Sequence, residues 1–260
     1  MYPNAYYNYK KQKQKAKLSQ KAYILNRIKE LYHKSSGRPG YRMMTAMLAN
    51  EGIVLSATTV HKYMNTELKL KSVTRKKKYI HRNSGDPFKV FDNIIDQDFV
   101  SSKRNTKWCI DFTYLHLSNG SKRYNCSIID LYDRRIVASV NGRKINTELA
   151  KEAVCKALQS NENVTNLVLH SDRGSQFTSK EFVEFCKENT ITQSMSKAGC
   201  PYDNAPMERY FNTLKAELIN LHSFPTEEEL FNAVTVYAYG WYNNQRPHSY
   251  NNNTPPAKVN

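Results

Sequence analysis

The chain has no run of about 18 apolar residues, so no segment is expected to cross a membrane. Its first residues, MYPNAYYNYKKQKQKAK, lack the apolar stretch of a secretory signal, which points to a cytoplasmic protein. Cysteine is scarce and unpaired by pattern: Cys109, Cys126, Cys155, Cys186 and Cys200 are an odd five, with no C-x-x-C spacing. That argues against a disulfide framework or a cysteine zinc site and fits a reducing compartment. No internal repeat is evident. Acid is nearly missing from the first third: residues 1–82 hold 19 Lys/Arg against three Asp/Glu, whereas 83–260 hold 20 of each. Charge segregated in this way describes two objects, a basic arm that seeks polyanions and a neutral body. Solubility alone does not require the segregation.

The 260 residues are 40% apolar, with 18 Tyr and 10 Phe, enough to bury a sizeable core. Residues 1–19 are Tyr/Asn and then Lys/Gln without an apolar period, and read as a basic flexible tail or as the start of a basic helix. Residues 20–68 read as a small all-α domain. Ile24, Leu25, Ile28, Leu31 and Tyr32 recur at helical spacing, SSGRPG breaks the helix, and YRMMTAMLAN forms a second. Gly52 marks a turn, and Ser56 can cap a third helix, ATTVHKYMNTEL, with Ala57, Val60 and Met64 inward. Helix, glycine turn and capped helix make a helix-turn-helix pattern, which would place Thr58, Thr59, His61 and Lys62 outward, toward a DNA major groove. A plain three-helix bundle is the bland alternative. Residues 69–104 read as a linker whose Arg75, Lys76, Lys77 and Lys78 lie along phosphates without sequence preference, or serve only as a solvated spacer.

From residue 105 the texture becomes strands and helices. KWCIDFTYLHL alternates, with Trp108, Ile110, Phe112 and Tyr114 on one side and Cys109, Asp111 and Thr113 on the other. YNCSIIDLY and RRIVASVN continue an antiparallel set. NTELAKEAVCKALQS reads as a helix, TNLVLHSD as a buried strand, SKEFVEFCKENT as a helix and ITQSMS as a short strand. DNAPMERYFNTLKAELIN and TEEELFNAVTVYAYGWYNN are the last long helices. The result is an α/β core, residues 105–222, built as a mixed five-stranded sheet with flanking helices. A C-terminal helix and tail follow over 223–260.

Three carboxylates sit awkwardly. Asp111 interrupts an aromatic strand, where an acid is disfavoured and, if buried, needs a cation or donors. Asp172 ends a buried strand, where open α/β sheets place ligands, yet in Asp-Arg-Gly it also suits a turn. Glu208 opens a helix, where the helix dipole alone favours an acid. Together they offer hard oxygen ligands from separate elements, as a two-metal phosphoryl-transfer site requires. Asn212 and Lys215 share the helical face of Glu208 and could hold a DNA backbone there, or belong to an ordinary amphipathic helix. Gly174 is expected to let the chain turn away after Asp172. Asp130 reads as a turn cap, Asp203 as a helix cap, and His170 as a residue that orients the loop or sits under the sheet.

WCIDFTYL, YNCSIIDLYDRRIV, HSDRGSQFTS, GCPYDNAPMERYFNTLKAEL and YNNQRPHSYNNNTPPAKV, taken with the helix-turn-helix segment, resemble one family. It is the second-frame (OrfB) product of the "IS three" family of bacterial insertion-sequence transposases. The 35 residues between Asp172 and Glu208 match its D,D(35)E signature. The resemblance implies a ribonuclease-H-like, retroviral-integrase-like core and assigns Asp111, Asp172 and Glu208 as the catalytic and metal-binding triad. It implies two Mg²⁺ (or Mn²⁺) ions, with Asp111 shared between them. The implied activity is cleavage at the element's ends and transfer of the 3′ hydroxyl into another DNA strand. The implied partners are double-stranded DNA, both terminal inverted repeats and target, further copies of the chain on DNA, and an upstream-frame protein or frameshift fusion. Departures are Asp133, Arg209 and Tyr250-Asn251, none of which is a metal ligand. Alternatives are a metal-dependent nuclease of the same fold that does not join strands, and a DNA-binding regulator with an inactive core.

Overall fold

A computed structural model describes residues 3–73, 89–161 and 164–259. The chain divides into two compact units, Met1–Arg75 and Lys76–Asn260. The boundary falls in the basic stretch that includes Arg75, Lys76, Lys77 and Lys78, which lies outside the described residues.

The first unit is helical. Helix α1 spans Pro3–Lys34, α2 Tyr41–Asn50 and α3 Ala57–Lys62, the last continuing as a π turn over Tyr63–Glu67. Of the two readings of residues 1–19, flexible tail or start of a basic helix, the structure has the helix: α1 begins at Pro3 and runs unbroken through them. Lys, Gln and Ala are good helix formers even without an apolar stripe. Residues 7–20 of that helix are exposed, which is why no hydrophobic period announced it. The apolar stripe farther on does what its spacing requires: Ile24, Ile28 and Leu31 pack with Met44, Leu48, Val60 and Met64 in one buried cluster. Ala57 was expected inward and is exposed. Ser56 caps α3, its hydroxyl accepting the Thr59 N–H at 3.2 Å. Gly52 has φ +81°, the left-handed conformation that its turn demands. Arg27 ties α1 to the turn after α2 with two bonds to Glu51, at 2.7 and 2.6 Å.

The second unit is built on five strands: β1 Lys107–His116, β2 Lys122–Asp130, β3 Ile136–Gly142, β4 Val168–Ser171 and β5 Thr192–Met195. Their order is β3-β2-β1-β4-β5. The first three pair antiparallel, while β4 and β5 join parallel, the mixed sheet expected of a ribonuclease-H-like core. Helix α4 (Thr147–Gln159) makes the crossover to β4 and packs on β2 and β3. Short α5 (Ser175–Thr178) and α6 (Lys180–Glu188) follow β4. On this face Trp108, Ile110, Cys126, Ile128, Ala153, Phe177 and Phe182 form the main core.

The opposite face, which carries Asp111, is covered by α7 (Ala205–Leu214) and α8 (Glu227–Thr235). Both helices continue as π segments, over Lys215–Ile219 and Val236–Tyr242. This face is more polar. Asn125 Nδ2 donates to the Ser139 and Asn141 side chains at 2.9 and 3.0 Å, and Ser127 Oγ to Asn125 at 2.6 Å. One face of the sheet is therefore an oily floor and the other a hydrogen-bonded shelf for functional groups.

Candidate active site

The register of β1 and β4 brings two carboxylates to one level. Lys107 pairs with Val168, Trp108 with Leu169 and Cys109 with His170. Carrying that parallel register forward sets Asp172 opposite Asp111, on strands that run about 4.8 Å apart. Asp111 sits within β1, flanked by Ser127 of β2, whereas Asp172 stands just past the end of β4. Glu208 comes from a third element, the first turn of α7, which packs across β1 and β2. The loop before it is tied down beside Asp111, since Asn204 Nδ2 donates to the Ile110 carbonyl at 3.5 Å.

Asp111 senses both of the other acids. The Asp111 carboxyl is pushed well above the usual aspartate range, first by burial, then by the negative charge of Asp172 and of Glu208. Only the Phe112 N–H, at 2.7 Å, and the positive charge of Lys215 pull it back. Burial also raises Asp172, against the Gly174 N–H that donates to it at 2.9 Å, and raises Glu208. Mutual repulsion of this kind is relieved by a cation. Three carboxylates from three elements are the oxygen donor set that a hard divalent ion takes, so the residues fit such a group. Among the described residues, however, no three His, Cys, Asp or Glu side chains are gathered tightly enough to make a closed metal cluster.

Asn212 is exposed and Lys215 half-buried, on the outward face of α7. Gly174 stands where the chain leaves β4 for α5, with an ordinary φ of −60°, and its N–H orients Asp172. His170 lies buried under the sheet. Its ring nitrogens meet Ser194 Oγ at 2.9 Å and Ser196 Oγ at 3.1 Å, and burial lowers its pKa to about 4. Asp203 does not cap α7. It accepts from the Lys197 N–H (2.8 Å), Asn93 (2.9 Å) and Gln97 (2.8 Å), closing the loop that leads to Glu208. Asp130 is the turn cap expected, accepting from the N–H groups of Asn105 and Tyr132 at 2.7 and 2.9 Å.

In the helical unit, Thr58, His61 and Lys62 are exposed on α3. Thr59 is half-buried, with its hydroxyl 2.8 Å from Ser56 Oγ at the exposed start of α3. The sequence reading missed Asn65. It lies one turn beyond His61, with Nδ2 2.8 Å from His61 Nε2, and its i+4 spacing was the available signal. Also missed were Glu217 and Arg246, a buried pair behind Glu208.

A family model described as "Integrase core domain" matches residues 101–201, and a second of that description matches 189–256. An "HTH-like domain" model matches residues 19–78. The chain is 33% identical over 223 residues to the putative transposase InsK for insertion sequence element IS150 of Escherichia coli K12, across 86% of this chain and 77% of that protein. It is 31% identical over 220 residues to transposase InsF for insertion sequence IS3A of the same organism, across 84% and 75%. The chain belongs to the IS3-type insertion-sequence transposases. The transposase for IS904 of Lactococcus lactis is similar at 32% identity over 226 residues, covering 87% of this chain and 88% of that one. The integrase-core matches enclose Asp111, Asp172 and Glu208, and the helix-turn-helix match encloses α2 and α3. The transposase is a DNA-binding polynucleotidyl transferase that serves DNA transposition, recombination and integration. Among the described residues no helix is long and apolar enough to cross a membrane.

Proposed function

We propose that Asp111, Asp172 and Glu208 are the catalytic and metal-binding triad of a transposase that cuts DNA at the ends of its element and joins the freed 3′ hydroxyl to a new strand. The observation that carries this reading is the shared level of Asp111 and Asp172 on parallel strands, with Glu208 close enough to raise the Asp111 carboxyl. The triad would hold Mg²⁺ or Mn²⁺, two ions, with Asp111 shared. When bound, such ions generate a nucleophilic oxygen and stabilise the departing one. The chain's own residues orient. Burial and the Phe112 N–H fix the Asp111 carboxylate, the Gly174 N–H fixes Asp172, and α7 carries Glu208. Lys215 and Asn212 hold the DNA backbone along the same helix.

In this reading residues 20–68 form the DNA-binding domain and 105–222 the catalytic core. The tract that includes Arg75, Lys76, Lys77 and Lys78 tracks phosphates, and Thr58, His61 and Lys62 meet the terminal inverted repeats. Further copies of the chain assemble on DNA in the bacterial cytoplasm, with an upstream-frame protein or fusion completing the machinery. The test is a cleavage and strand-joining assay on element ends with D172N and E208Q. Both reactions should be lost while DNA binding survives. Near-normal joining by either variant sinks the assignment. Cleavage without joining by the parent chain reduces it to a nuclease, and neither reaction by the parent reduces it to a DNA-binding regulator.

A further inference from the structure

Helix α7 carries a second glutamate that the chemistry above does not use. Asn212, one turn on, returns near the azimuth of Glu208, whereas Glu217 lies in the π continuation Lys215–Ile219 and is turned inward. Glu217 is buried, an expensive place for a carboxylate. Its Oε2 accepts from the Tyr237 hydroxyl at 3.0 Å and from Trp241 Nε1 at 2.9 Å. Arg246 closes over both oxygens, with Nε at 3.0 and 3.2 Å and the second guanidinium nitrogen at 2.9 Å from Oε1. Every one of these donors comes from the last tenth of the chain. The two helices meet here through their π segments, Lys215–Ile219 and Val236–Tyr242. Such segments interrupt the α-helical phase and recur at functional sites.

A buried ion pair adds little net stability, because removing two charges from water offsets their attraction, and apolar residues of similar volume do as well. What this pair supplies is one permitted geometry. A greasy contact lets a helix roll, but a carboxylate held by three directional donors does not. We infer that Glu217 is a positioning residue: with Arg246, Tyr237 and Trp241 it sets the rotation of α7 about its own axis. It thereby sets where Glu208 stands relative to Asp111 and Asp172. The inference rests on the triad reading above.

The test uses the full chain and Mn²⁺ as the probe, with bound ion read by electron paramagnetic resonance and with melting temperature and DNA affinity measured alongside. E217M/R246M removes both charges together and keeps side-chain volume. Its Mn²⁺ dissociation constant should rise about tenfold, the cost typical of loosening a ligand's support, at unchanged DNA affinity and with only the fall in melting temperature that comes of leaving the Tyr237 hydroxyl and Trp241 N–H without their acceptor. In an E208Q background the same pair of substitutions should shift Mn²⁺ binding less than about twofold, because the group it positions has gone. Equal shifts in the two backgrounds indicate a merely structural role and overturn the inference, as does no shift in the parent. W241F removes a single donor and should give roughly a two- to threefold shift that is likewise lost with E208Q. It carries the test if the double variant fails to fold, and no shift in W241F then overturns the inference. If E208Q binds Mn²⁺ as the parent does, the triad reading fails and takes the clamp with it. A normal loss in E208Q beside an unaffected E217M/R246M overturns the clamp alone.

Discussion

The two units of this transposase use charge in opposite ways. The helical unit wears it. Lys10, Lys11, Lys13, Lys15 and Lys17 stand exposed along α1, and the ion pairs of that unit, such as Lys21 with Glu67 at 2.8 Å, lie at its surface. The sheet unit, balanced in charge from residue 83 onward, has surface ion pairs too, but it also sinks carboxylates inside: Asp111, Asp130, Asp133 and Glu217 are buried or nearly so. Surface charge is screened by salt and tolerant of position, which suits a DNA backbone that offers a phosphate everywhere. Buried charge is costly and exact in direction, which suits chemistry at a single phosphodiester. Affinity and catalysis should therefore separate under mutation.

The largest separation is expected from the acids. D172N or E208Q should lower strand joining by about three orders of magnitude or more, the several kcal/mol that metal-assisted stabilisation supplies, with DNA affinity within about twofold. Removing residues 1–82 should do the reverse to affinity. DNA binding should weaken, and the slope of log affinity against log salt should flatten by about 0.9 for each phosphate that is no longer neutralised. An unchanged slope breaks the comparison.

A smaller effect concerns acid. The pKa of His170 is lowered to about 4 in the folded chain, against about 6.5 unfolded. The unfolded chain therefore binds the extra proton first. The stability that neutral His170 secures is present above about pH 6.5 and is lost progressively as pH falls toward 4. His170→Gln should flatten that part of the sheet unit's melting-temperature profile and leave the helical unit unaffected. An equally steep profile would show that the imidazole is not responsible. The smallest effect belongs to the helical unit: Ser56→Ala should cost about 1 kcal/mol through the lost cap, read as a lower denaturation midpoint.

Much of the fold was legible because its signals are local. Alternation in KWCIDFTYLHL and the apolar run before Asp172 announce β1 and β4, and helical spacing from Ile24 to Leu31 announces the packed half of α1. The exposed half of α1 carried no such signal. A helix without an apolar face buries nothing, so residues 3–19 looked like a tail. The candidate acids were legible one by one, because each is an unlikely residue at its own position.

By itself the sequence determined where the strands and packed helices lie, that the excess of positive charge is confined to the first third, and which acids are out of place. These depend on residue type and short spacing, which folding does not alter. Only the tertiary structure decided that β1 and β4 pair in parallel, in a register that extended forward leads Asp172 toward Asp111, because such pairing joins segments some 60 residues apart. It alone decided that Glu217 is gripped by Tyr237, Trp241 and Arg246 behind the helix that carries Glu208. Side-chain direction follows from which strands and helices become neighbours, and local periodicity does not choose neighbours.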